Sequence, residues 1–384
     1  MLLRALIVAA LALTCASAET VRNPTKRAGA GPLFQVFRGD MWGFMDRKGH
    51  IAIAPAFLDE RDFFHGVAGV ELPNRKWGFI NERGKFAIPP RFDEVRDFID
   101  DLAPVRVERK WGYIDTTGRM VIEPRFQAAG EFHEGLAKIY VWSEVVCRTG
   151  TFTSENAPFW AFHLYEDEKT EYHDCFPHGG KLGYIDKSGT VVIAPQFFVA
   201  QNFSEGLAAV RIEESADSKF GYIDRSGHLV IAARFFQAGP FSEGLAAVET
   251  NARVVGNKVV DMAWGFIDKT GVIRISDKYD FAASFSEGLA RVAVKMGVSE
   301  GYIDRDGKMV IPARYSTVGD FSDGLAVACA DECVYIDHSG SEVPPLKKIG
   351  AYWPFSDGLA AVGFYGPTVY VNKKGKTIAP YAMK

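Results

Sequence analysis

The stretch FSEGLAAVRIEESADSKFGYIDRSGHLVIA, residues 203–232, decides how the chain folds, because both of its halves recur along the sequence. The opening block returns as FSEGLAAV at Phe241, FSEGLARV at Phe285, FSDGLAVA at Phe321 and FSDGLAAV at Phe355. Looser copies start at Phe63, Phe98 and Phe132. The second half is one of nine short motifs: WGFMD at Trp42, WGFIN at Trp77, WGYID at Trp111, LGYID at Leu182, FGYID at Phe220, WGFID at Trp264, EGYID at Glu300, CVYID at Cys333 and TVYVN at Thr368. Successive copies are 35, 34, 71, 38, 44, 36, 33 and 35 residues apart. A period in that range marks a repeat architecture in which each unit buries its apolar face on its neighbours.

Within the unit the physical reading is a β-hairpin. The third position is Phe or Tyr in all nine copies, the fifth is Asp or Asn, and a Gly follows three residues later (Gly49, Gly84, Gly118, Gly189, Gly227, Gly271, Gly307, Gly340, Gly375). An Asp or Asn there can accept the backbone N–H groups of the following turn, and the Gly supplies the left-handed conformation that closes it. The second strand is expected to stop near a proline (Pro55, Pro89, Pro124, Pro195, Pro312), which cannot donate to a ladder. A connector of about a dozen residues follows. It carries an aromatic (Phe57, Phe92, Phe126, Phe197, Phe235, Tyr279, Tyr315). The acid–Gly pair of the opening block reads as a turn, and LAAV as a third short strand.

At these residues the chain resembles the WG-repeat family, also called KWG repeats. KWGFINERGKFAIPPRFDEVRDF from Lys76 and KWGYIDTTGRMVIEPRFQAAGEFHEGLA from Lys110 carry the resemblance. It covers about Leu33 to Lys384 except the segment 141–180, and it implies a repeat fold without any catalytic residues. The unit is also similar to the hairpin repeats of cell-wall choline-binding proteins. Leu182, Phe220, Glu300, Cys333 and Thr368 stand where such a shared aromatic cage would need Trp. The expected fold is all-β: about nine three-stranded β-hairpin repeats in an open solenoid-like stack, with a closed propeller-like ring as the alternative. Nine copies make an awkward ring, and the period is short for a four-stranded blade.

Residues 1–18, MLLRALIVAALALTCASA, have the layout of a secretory signal peptide: basic Arg4, an apolar run from Ala5 to Leu13, and the A-x-A site Ala16-Ser17-Ala18. The competing reading is a buried N-terminal helix. Thr14 is a poor residue to precede a lipid-modified Cys15. The expected organisation is therefore a signal peptide at 1–18, a flexible segment at 19–32 and a repeat domain at 33–384, exported to the periplasm or the extracellular space. No later apolar run reaches the length a membrane-spanning helix needs. Net charge is −4, and loss of Arg4 with the leader would make it −5. Both signs are interspersed, which argues against a nucleic-acid partner.

Four cysteines follow the leader: Cys147, Cys175, Cys329 and Cys333. In an exported chain an even count suggests two disulfides. Of three pairings, local spacing favours 147–175 and 329–333. The 71-residue gap contains an insertion, 141–180, in the loop between two strands, bearing Trp142, Phe159, Trp160, Phe162, His163 and Tyr165 as a candidate binding surface. His173, Asp174 and His178 are legitimate zinc ligand types, although their spacing matches no established pattern and Cys175 is better used in a disulfide. A 147–175 bridge would restrain the long hairpin by roughly 3 kcal/mol in the chain-entropy model. The DRDG of 304–307 lacks the later acids of a calcium loop.

No nucleophile elbow, phosphate loop, dinucleotide fingerprint or zincin helix occurs, and no cofactor is implied. The leading expectation is an exported binding or scaffold protein presenting an extended surface to a protein or an envelope glycan. The alternative is an exported hydrolase or metal-dependent enzyme with its site at the insertion.

Overall fold

The computed structural model describes residues 32–141, 144–152, 170–178, 180–215, 218–255, 258–295, 297–346, 353–362 and 369–379. The Cys147 and Cys175 side chains, the aromatic insertion residues and the His173, Asp174 and His178 side chains lie outside what is described, as does the leader.

Each repeat forms a small antiparallel sheet whose strands pair in sequence order. Nine such sheets, numbered here as blades, span 34–57, 59–92, 94–126, 128–197, 199–235, 237–279, 281–315, 317–336 and 359–378. Blade 5 shows the plan. Ala208–Arg211 pairs with Phe220–Ile223, which pairs with Leu229–Phe235. The two-residue strand Val199–Ala200 lies on the other side of Ala208–Arg211.

That short strand corrects the three-stranded unit. The segment read as a connector contains a fourth strand, reduced to two residues in five of these blades: Asp59–Glu60, Glu94–Val95, Val199–Ala200, Phe281–Ala282 and Thr317–Val318. The period is long enough for a four-stranded blade because this strand is so brief. Proline does not end the last strand either. Ile51–Phe57 runs through Pro55, and the pairing shifts there, from Phe44↔Ile53 to Trp42↔Phe57. Proline is tolerated because this strand is a bulged edge with no further neighbour to receive an N–H.

The bulge explains the Gly of the WG dipeptide. A Cβ on Gly112 would lie 2.4 Å from the Ile122 carbonyl oxygen, and one on Gly301 2.5 Å from that of Ile311. The last strand crosses so close that any side chain would strike backbone.

The open stack is overturned: the array closes on itself as a nine-bladed ring. Each core cluster joins two consecutive blades, as where Phe220, Tyr222 and Ile231 of blade 5 pack with Ala238, Phe241 and Ile267 of blade 6. The same kind of cluster joins the ends, with Phe34 and Met45 of blade 1 packed on Leu359, Tyr370 and Ile378 of blade 9. Aromatic pairs repeat the pattern. Tyr113 meets Phe132 edge-on at 4.9 Å, Tyr184 meets Phe203 at 4.9 Å, and at the closure Tyr370 meets Phe34 at 5.5 Å. With no free end, no terminal unit has to leave an apolar face in water.

The first strands form the hub. Ser204 and Ser242 hydroxyls donate directly to the carbonyls of Phe241 and Phe285 in the next blade, a contact open only where blades converge. The last strands form the rim and bury one residue in four, so that Ile231 and Phe235 pack inward while Leu229 and Val230 face out. Toward the neighbouring rim, arginines reach over. Arg91, Arg125 and Arg234 donate to the carbonyls of Gly118, Gly189 and Gly271 at 2.6, 2.6 and 2.5 Å.

Candidate binding face

Antiparallel order sends the connections to two faces. The turns after the first and third strands emerge on one face, and the loops between the second and third strands emerge on the other. The two faces differ in kind.

On the first face every turn is tight. Glu205-Gly206, with φ 53° and 88°, is a two-residue turn with both residues left-handed. Blade 2 uses His65-Gly66 there and blade 3 Asp100-Asp101, also at positive φ. The acid of this turn bridges to the next blade. Asp100 accepts from the Gly135 N–H at 2.8 Å, and Glu134 from the N–H groups of Glu205 and Gly206 at 2.6 and 2.8 Å. Glu205 accepts from Gly244, Glu243 from Gly288 and Asp323 from Gly358, at 3.1, 3.0 and 2.6 Å. Blade 1 has no such turn among the described residues, and Asp357 of blade 9 instead pairs with Arg47 of blade 1 at 3.3 Å. Bases flank the ladder: Lys269 on Glu205 at 3.1 Å and Lys373 on Asp323 at 3.0 Å.

The other turns of this face hold the Asp of the GYID motif. Asp115 Oδ1 accepts from the N–H groups of Thr117 and Arg119 at 3.0 and 3.1 Å and from the Thr117 hydroxyl at 2.6 Å. These bonds, the Thr117 hydroxyl first, hold its carboxyl down at about 2. Asp268 is held at about 2 by Thr270 and Arg274 in the same way. The recurring carboxylates of the repeat are thus turn and bridge groups.

The second face carries the large length variation. Its loops are as short as Glu108-Arg109 between the paired Val107 and Lys110, and Ala330–Glu332 joins the paired Cys329 and Cys333. In blade 6 the hairpin extends to Leu245–Val255 and Lys258–Ile267. Blade 4 carries the insertion, which leaves the sheet at Val141, paired with Lys181, and forms a separate hairpin of Glu144–Phe152 with Thr170–His178. Its register sets Cys147 opposite Cys175. The blade 6 extension was visible in the sequence only as the 44-residue spacing, which the reading of the insertion passed over.

Cys329 and Cys333 form a disulfide with Cα atoms 3.9 Å apart. Cys333 occupies the Trp position of its repeat, and Cys329 the site facing it. In blade 3 the same facing pair is Trp111 and Arg106. A covalent cross-strand link therefore replaces an Arg–Trp packing pair.

Two of the repeat tryptophans are buried and the other two, Trp42 and Trp264, half-buried. Trp77 and Trp111 are 5% exposed. Arg61 lies over Trp77 at 5.5 Å and Arg96 over Trp111 at 5.0 Å. These two positions therefore show no aromatic face to a glycan. Among the described residues no group of three His, Cys, Asp or Glu side chains is placed to hold a metal ion, and no helix is long and apolar enough to cross a membrane.

The model of the WG containing repeat matches residues 42–75, 77–111, 111–141, 183–214, 220–253, 264–295 and 301–332, more than half of the chain. This chain belongs to the WG-containing repeat family. The WG-repeat ring continues past those matches, since 317–336 and 359–378 form the last two blades. No curated protein sequence matches the chain. Among solved structures, the WG-repeat ring is similar to the computationally designed Ika8 protein at 13% identity, over 82% of this chain and 93% of that one, with a TM-score of 0.37. It is similar to Porphyromonas gingivalis dipeptidyl peptidase 4 at 10% identity, over 83% of this chain and 59% of that one, with a TM-score of 0.48. It is also similar to BamB from Moraxella catarrhalis at 9% identity, over 84% and 93% of the two chains, with a TM-score of 0.40.

Proposed function

We propose that this WG-repeat protein is an exported, non-enzymatic binding or scaffold protein whose recognition surface for a protein partner is the variable-loop face of the ring. One observation carries the reading. The large length variation falls on that face, where blade 4 adds a hairpin and blade 6 extends one, while the opposite face is built of near-identical turns. Rigid scaffolds commonly place recognition on such loops. Two further points support it: the repeat carboxylates are engaged in turns and inter-blade bridges, and a disulfide suits an oxidising compartment.

The test replaces residues 142–180 by Asn-Gly, which joins the paired Val141 and Lys181 through a two-residue hairpin turn. A second variant shortens the blade 6 hairpin. Each is used beside the chain starting at Glu19 to capture partners from envelope extract, with circular dichroism to confirm folding. Loss of a specific partner from either shortened but folded variant supports the reading. Capture that survives both truncations rejects the variable face as the recognition surface. A stoichiometric metal with hydrolytic turnover would reject the non-enzymatic reading.

A further inference from the structure

The ring is closed by the same tyrosine bond that joins several of its blades, with a different acceptor. Tyr113, Tyr184, Tyr222 and Tyr302 each donate a hydroxyl to a hub-strand carbonyl of the next blade, at Gly130, Gln201, Gly239 and Gly319. Blade 1 has no hub strand among the described residues: Phe34–Arg38 pairs there with Met41–Met45 alone. Tyr370 of blade 9 donates instead to the carbonyl of Gln35 in that strand, at 3.0 Å.

The side chain of the same Gln35 turns to blade 2. Its Nε2 donates to Glu60 Oε2 at 2.8 Å and to Asp62 Oδ1 at 3.1 Å. Glu60 stands in the hub strand where the other blades carry Val95, Ala129, Ala200, Ala238, Ala282 and Val318. It is 8% exposed, one of three buried charged residues among those described. A carboxyl at an apolar hub site, tied through one glutamine to the closing bond, needs a reason.

We propose that Glu60 is a proton-operated latch on the seam of the ring: neutral, it sits at its apolar hub site with Gln35 bridging blades 1 and 2 beneath Tyr370, and ionised, it loosens the seam. The groups facing it are Asp59, Arg61 and Asp62 on its own segment, Gln35 on blade 1 and the Tyr370 hydroxyl of blade 9. Arg61 is the single cation among them, and its guanidinium lies over Trp77. Burial, with the charges of Asp62 and Asp59 added, lifts the Glu60 carboxyl to about 8, and burial lifts Asp62 as well. Near neutrality Glu60 thus keeps its proton. When Glu60 ionises, its buried carboxylate lacks the water it would have in the unfolded chain and faces the charges of Asp62 and Asp59, and the Gln35 amide offsets only part of that cost, which falls on the strand that carries the Gln35 carbonyl. The variable-loop face would then be borne by a ring whose first and last blades separate more readily above pH 8.

The test is amide hydrogen exchange, corrected for intrinsic rates, on the chain starting at Glu19 at pH 6 and pH 9. Protection is followed in 34–38 and 369–372, with 220–223 of blade 5 as the internal reference. The expected result is a roughly tenfold greater loss of protection at the seam than at the reference on raising the pH, a change of about 1.4 kcal/mol. The loss should vanish in Glu60→Gln. Glu60→Val, which installs the residue of blades 3 and 8, serves as a second non-titrating variant should Glu60→Gln fold poorly. Equal protection at both pH values in the wild type overturns the proposal. So does the same pH-dependent loss in both variants.

Discussion

The Tyr370 hydroxyl donates to the Gln35 carbonyl at 3.0 Å, joining residues 335 apart in sequence by the bond that elsewhere joins residues 17 apart. Ring closure is thus one more inter-blade contact, made to the second-strand position of blade 1.

Tyr370→Phe removes the hydroxyl and leaves the Gln35 carbonyl without that donor. A loss of about 1 kcal/mol is expected, since a net hydrogen bond is worth about that much. Denaturant unfolding should report it, and exchange should localise it to 34–38 and 369–372. A drop of the same size with uniform exchange around the ring would contradict a specific role at the seam.

Gly301→Ala puts a Cβ 2.5 Å from the Ile311 carbonyl oxygen. Backbone must move to relieve that clash, and a cost of about 3 kcal/mol is expected. Gly288→Ala is the control: its Cβ would meet nothing within 4 Å, so only its φ of +84° matters. There the cost should stay near 1–2 kcal/mol. Thermal melts of the two variants side by side check the order.

Glu134→Ala strips two backbone N–H groups, those of Glu205 and Gly206, of their acceptor. Charge-assisted bonds of this kind support an expected loss of about 2 kcal/mol. Glu134→Gln should recover part of it, because an amide oxygen still accepts. Comparable losses from the two substitutions would show that the bridge depends on charge and not on geometry.

Glu60 sets the sign of one pH dependence. Its folded value of about 8 exceeds its ordinary value of 4.5, so between them the native state holds a proton that the unfolded chain has released. Stability therefore falls as pH rises through that window and levels off above pH 8. Glu249, lifted by burial to about 7, adds to the same slope. Glu60→Gln should flatten the curve and raise stability at pH 8 by on the order of 3 kcal/mol. Urea midpoints from pH 5 to 9 provide the check.

Reducing Cys329–Cys333 frees a short hairpin loop, for which the chain-entropy model gives about 2 kcal/mol. A Cys329→Ala, Cys333→Ala double variant should show the same loss without reductant and no further loss with it.

Much of this was legible locally. Asp115 and Gly118 declared their turn because an Asx side chain and a left-handed Gly do their work within four residues. The Cys329–Cys333 pair was readable for the same reason, since three residues separate the strands it joins. The hub strand at Val199–Ala200 was not legible: two residues carry no periodicity, and their pairing with Arg211 and Val210 is what makes them a strand. Glu205 looked like a turn residue and is one, but its acceptance from Gly244 in the following blade depends on how blades meet. Glu60 had a faint signal, a carboxylate where its counterparts are Ala or Val, which only the blade alignment brings out.

The sequence by itself determined the unit: nine copies, strands alternating about an aromatic and a Gly, turns closed by Asp and Gly, because each of these rests on chain geometry within one repeat. Whether the copies run on or close was decided by tertiary structure alone. Closure depends on the small rotation between successive blades summed nine times, and no single repeat encodes that sum. It is settled where Phe34 and Gln35 meet Tyr370, Arg47 meets Asp357, and the apolar face of the last blade finds the first blade instead of water.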